Sequence, residues 1–129
     1  MQKLIFFVSL VCSMSFFSCE DNTELMTTLP DSLIDRVWIH AHEDDKNTLA
    51  VYRPADVITL PVSRYRQTFL FNADQTCDYS VLAPNDAHYG EKGYWNFDMG
   101  VVSVFNDDDQ LQFRLEIVEA NSQVLKIRK

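Results

Sequence analysis

The chain has 129 residues and a formal charge of −8, from 19 acidic and 11 basic side chains, and 47% of it is hydrophobic. A negative surplus of this size excludes nucleic-acid binding through phosphates, because like charges repel, and it opposes anionic lipid headgroups in the same way. The length suits one domain around one core. The first eighteen residues stand apart from that domain. Lys3 supplies a positive start, residues 4–11 an apolar run, and residues 15–18 small and aromatic side chains, which together read as a secretory signal too short to span a bilayer. Without the leader, ten basic residues face nineteen acidic ones, so the mature charge is −9.

The segment Ser15-Phe16-Phe17-Ser18-Cys19 resembles the lipobox of bacterial lipoproteins. That resemblance implies a lipidated Cys19, attachment to outer-membrane lipid and a place in the cell envelope. Residues 19–29 then read as a flexible tether, acidic through Glu20, Asp21 and Glu24 and without apolar periodicity. An acidic run behind the lipid cysteine resembles the signal that sends some Gram-negative lipoproteins to the outer face of the outer membrane. A linker facing the periplasm is the alternative. Cys12 leaves with the leader and Cys19 takes the lipid, so Cys77 has no disulfide partner.

The domain is expected over residues 30–129. Pro30 ahead of Asp31, Leu33 and Ile34 predicts one or two helical turns able to plug one end of a sheet. Residues 36–42 alternate as a first strand, residues 43–47 make a charged turn, and residues 49–53 a second strand. Residues 54–63 carry Pro54 and Pro61, neither of which can donate to a ladder, which predicts a loop or an edge. In residues 64–82, Tyr65, Gln67, Phe69 and Phe71 share one face. After a turn at Asn72, Asp74 and Gln75, Cys77, Tyr79 and Val81 share another, the pattern of a half-buried hairpin. Residues 84–92 read as a polar loop. Strands follow at 93–97, 101–105, 111–117 and 124–128, parted by short turns.

About eight short strands in a nearest-neighbour meander would leave two long edges as a flat sheet. Curling until the last strand meets the first removes both. The fold class is therefore all-β, a small antiparallel barrel whose interior either is filled by side chains or holds one small ligand, with an open sandwich as the alternative. Trp38 in the first strand, the aromatic strand ending in Phe69-Leu70-Phe71-Asn72-Ala73-Asp74-Gln75-Thr76, the Gly93-Tyr94-Trp95 strand and a final alternating pair are similar to the small lipocalin-like lipoproteins of Gram-negative bacteria. The resemblance covers roughly residues 33–129. It implies a lipocalin-like barrel, with Trp38 lacking the glycine that precedes it in lipocalins proper.

Candidate chemistry is sparse. His40 and His42, two apart on an expected strand, would face one side as imidazoles do toward a divalent metal, with a carboxylate from residues 43–45 or His88 to complete the set. The alternative is that they bond polar neighbours. Arg53, Arg64 and Arg66, near Tyr52 and Tyr65, could grip a carboxylate or phosphate, or could pair with the acidic turn at 43–45 and pin a loop. Trp38 and Trp95 complete the candidate ligand-binding residues, and both are equally suited to the core. No nucleophile elbow, phosphate loop or zinc-protease helix is present, so no catalytic residue is assigned and an enzyme is not expected. The expected function is a lipid-anchored binding module for a small apolar or amphipathic ligand or a protein. Its alternatives are an acidic inhibitor that captures a cationic protein, such as a lysozyme-like enzyme, and a metal-binding protein.

Overall fold

The structure is a computed structural model that describes residues 26–63, 65–85 and 87–129. Eight strands, β1 (Val37–His40), β2 (Leu49–Pro54), β3 (Thr68–Phe71), β4 (Thr76–Leu82), β5 (His88–Asp98), β6 (Val101–Asn106), β7 (Leu111–Ala120) and β8 (Leu125–Arg128), close into a barrel. Every pairing is antiparallel. The all-β closed sheet expected from the alternation is the fold observed.

The seam differs from a simple meander. From β3 to β8 each strand pairs with the next, but β8 then pairs with β2, and β1 lies between β2 and β3. The last strand thus meets the second rather than the first. Because β2 and β3 both run antiparallel to β1, they point the same way. Residues 55–67 must therefore travel the full height of the wall, outside β1, to connect them. We call this segment the strap.

The same registers define two ends. At the base lie the 3-10 turn Asp31–Leu33 and the connections 72–75, 99–100 and 121–124; at the rim lie 41–48, 83–87 and 107–110. The 3-10 turn plugs the base as expected: Leu33 is fully buried, and its carbonyl accepts the Trp38 Nε1–H at 3.1 Å. Met26 and Leu29, read from sequence as tether, already pack against this core. The base turns use the left-handed backbone where needed, with Gln75 at φ 70° and the Met99–Gly100 pair at 48° and 80°, the combination a two-residue hairpin requires.

The interior is filled. Trp38, Tyr52, Phe69, Phe71, Tyr79 and Trp95 are buried with Cys77, Val102, Val104, Leu115, Ile117, Leu125 and Ile127. Phe69 on β3 meets Phe113 on β7 edge-on at 5.2 Å between ring centroids. These two strands are diametrically opposite in the ring of eight, so their contact shuts the lumen at that level.

Several boundaries depart from the alternation. β5 begins at His88, inside the expected 84–92 loop. Its first five residues, His88, Tyr89, Gly90, Glu91 and Lys92, offer no apolar period to read. β1 stops at His40 because a second 3-10 turn, His42–Asp44, begins there. Only Thr68–Phe71 of the run from residue 64 joins the ladder as β3, since the strap is still crossing β1 before it. Residue 54 ends β2 rather than opening the loop.

Candidate binding surface at the rim and strap

The strap is held at both ends by arginines. Near the base, Arg36 Nη2 lies 3.1 and 3.2 Å from the two Asp56 carboxylate oxygens, and Arg36 Nη1 donates to Ser122 O at 2.9 Å. At the rim, the Arg66 guanidinium donates to His40 O (2.9 Å), Pro61 O (2.8 Å) and Glu43 Oε2 (2.9 Å), with a second bond to the other Glu43 oxygen. One side chain thus joins β1, the strap and the second 3-10 turn. Its hydrogen bonds hold the Glu43 carboxyl at about 2, down from an ordinary 4.5. Arg53 pairs with Asp44 at 3.1 Å. The alternative in which the arginines meet the acidic turn is the arrangement present for Arg53 and Arg66. Arg64 lies outside the described residues, as do Cys19, the leader and the chain up to residue 25.

The histidines separate at the point where β1 gives way to the turn. Ala41 N–H donates to Val51 O at 2.8 Å, and the turn then closes through Asp44 N–H to Ala41 O at 2.9 Å. His42 consequently leaves the strand alternation, and the two imidazoles stand edge-on with centroids 6.1 Å apart. His40 stacks on Tyr52 at 4.9 Å, its Nε2 lying 3.1 Å from both Asp45 carboxylate oxygens. Burial would raise the Asp45 carboxyl, but the Val51 N–H, Lys129 and His40 outweigh it and leave it lowered. His42 Nδ1 faces the Arg66 guanidinium at 3.2 Å, and its Nε2 lies 3.6 Å from Glu43 Oε1. His88 is elsewhere, its ring edge-on to Tyr65 at 5.1 Å. Among the described residues no three of His, Cys, Asp and Glu gather as metal ligands. The strand geometry that would aim both imidazoles at one ion is therefore absent.

The remaining candidates divide between core and rim. Trp38 and Trp95 are buried toward the base, their Nε1–H groups donating to Leu33 O and Asn72 O. Tyr52 is buried beneath His40, and burial pushes its phenol up. Tyr65 tethers the end of the strap to β4, donating to Gln67 Oε1 at 2.8 Å and lying 3.2 Å from Ser80 O. Cys77 is buried as expected, its thiol pushed up to about 11 by burial and by Asp78, which leaves it protonated and inert.

Sequence reasoning missed the strap face. Between the strap and the outer wall runs a groove of about 470 Å³, lined by Ile39, Ile58, Leu60, Val62, Tyr65 and His88 among others. Val62 is fully exposed, Val57 and Ile58 on the same strap are exposed too, and so is Val37 on β1. Three apolar side chains facing water on the strap form a patch of the kind that marks an interaction surface. The signal was present in Val57-Ile58-Thr59-Leu60-Pro61-Val62, too apolar for an ordinary loop.

No protein-family model, curated protein or solved structure matches the chain. What the rim and strap can do is read from their chemistry alone. They present an apolar strip bordered by fixed ion pairs, a surface suited to recognition, with no activated nucleophile among the described side chains.

Proposed function

We propose that the protein is a lipid-anchored cell-envelope binding module, a lipocalin-like lipoprotein that engages a protein partner on its strap face and rim rather than a small molecule in its lumen. The observation that carries this reading is the Phe69–Phe113 contact across the barrel, which leaves the interior to side chains and the outside to function. The exposed apolar strap supports it. So does the placement of the ends: residues 26–30 meet the barrel at the base, so a chain tethered through Cys19 carries its rim on the far side.

The test combines anchoring with contact. Mass spectrometry of the protein from cell envelopes is expected to find Cys19 acylated, and Cys19→Ala to move the protein out of the membrane fraction. A photo-crosslinking residue at Val62 is expected to yield a discrete adduct in intact cells, whereas one at exposed Asn96 on the far wall yields none. Equal labelling from both positions would refute the strap as the working face.

A further inference from the structure

The β4–β5 hairpin rises above its neighbours at the rim. β5 pairs with β4 from Tyr94 up to His88, but with β6 only from Asp98 up to Gly93. The phase of the ladder is set at both ends: Trp95 N–H donates to Gln75 O and Ala83 N–H to Ala87 O, each at 2.9 Å. In an antiparallel pair only alternate residues exchange bonds with a given neighbour, so odd-numbered residues of β5 serve β4 and even-numbered ones turn the other way. Tyr94, Asn96 and Asp98 find β6 there. His88, Gly90 and Lys92 do not, and among the described residues none of their N–H or C=O groups is hydrogen-bonded on that side.

This edge is open and acidic. A side chain added at Gly90 would meet no atom within 4 Å. Beside the edge lies a groove of about 290 Å³ lined by Glu91, Lys92, Asn106, Asp107 and Asp108. Lys92, the one positive charge there, is drawn back to Asp78 on β4 at 2.9 Å and does not guard the edge. Unpaired strand edges template pairing with another chain, which is why proteins usually cover or charge them.

We infer that β5 from His88 to Lys92 is a docking edge that takes an extended, basic segment of a partner protein as an added strand. Main-chain bonds to His88, Gly90 and Lys92 supply the pairing without demanding a sequence, as in other cases of strand addition. The turn at Asp107 and Asp108 selects the sign: an added strand continues the line of β6 past Asn106, and lysine or arginine side chains on it reach those carboxylates. A second copy of the chain would bring two acidic turns together and is disfavoured by the same charges. The inference rests on the protein-partner reading and names the partner's chemistry, but its site shares only His88 with the strap groove, and Gly90, Lys92, Asp107 and Asp108 lie outside that groove. Loss of either site therefore leaves the other testable.

The full chain in detergent is titrated with fluorescein-labelled Lys-Val-Lys-Val-Lys-Val-Lys, its all-Glu counterpart, and a version with proline at each valine. Saturable binding is expected for the lysine peptide alone, weakening as salt rises. Amide exchange should slow at Gly90 and Lys92. Gly90→Pro, which an edge strand tolerates, removes one outward N–H and is expected to weaken binding about fivefold to tenfold. Asp107→Asn with Asp108→Asn should weaken it further and flatten its salt dependence. The inference is overturned by equal binding of the acidic peptide, by protection appearing at the strap instead, by self-association in place of peptide binding, or by no saturable binding at millimolar peptide. If Gly90→Pro does not fold, the aspartate pair and the exchange map decide alone.

Discussion

Gly93 shows how tightly single positions are specified. It sits where β5 passes β6, and a Cβ built there would lie 1.9 Å from the Phe105 carbonyl oxygen and 3.3 Å from the Tyr79 ring. Backbone cannot step aside as a flexible side chain can, so Gly93→Ala is expected to cost about 1–3 kcal/mol in thermal or urea unfolding. An unchanged midpoint would show that the barrel gives at this point. Glu43 is specified by charge rather than space. Its folded carboxyl value, about 2, lies below the ordinary 4.5. A carboxylate lowered in this direction supports the fold fully above about 4.5, and that support is lost as pH falls toward about 2. The melting-temperature gap between the natural protein and Glu43→Gln should therefore hold at neutral pH and close across that window. A gap that persists into stronger acid would mean the ion pair does not hold the strap.

Among the elements, the strap is the one whose shape no local pattern determines. Its residues make few ladder bonds. It stays against the wall because Arg36 and Arg66 clasp its two ends. Arg66→Ala removes the bonds to Pro61, His40 and Glu43 at once, and the strap is expected to become the first site of limited proteolysis, with cleavage confined to residues 55–63. Arg66→Lys, which keeps charge but loses the forked geometry, should restore only part of the protection. Cleavage that begins instead in the turns at the base would contradict the clasp. On the opposite wall β7 shows a milder irregularity, a register shift between Ile117 and Glu119 in its pairing with β8.

At the scale of the molecule, the question is whether the lumen is a core or a container. Phe69 touches Tyr52, Phe71 and Phe113, linking β2, β3 and β7 through one ring. Phe69→Ala is expected to cost about 3–5 kcal/mol of stability, as deletion of a packed aromatic does. It should leave the crosslink from Val62 intact in any sample kept below its melting point. A variant that instead gains a bound apolar molecule and loses none of its stability would mark the lumen as a container.

The alternation of apolar and polar side chains determined by itself that this chain is all-β, that it has eight strands, and that Phe69, Phe71, Cys77 and Tyr79 face inward. Period two is a local property, and burying one face of a sheet follows directly from it. The pairing of the arginines with the acidic turn was legible too, since opposite charges on adjoining loops have few other partners. Three features were left to the tertiary structure. Which strand closes the barrel depends on the route of residues 55–67, a long-range choice with no period to betray it. Where β1 ends, and so whether His40 and His42 face together, depends on a turn held by Arg66 from twenty-four positions away. That β5 runs past β6 and bares an edge depends on the unequal heights of two hairpins, which becomes visible only once the strands stand side by side.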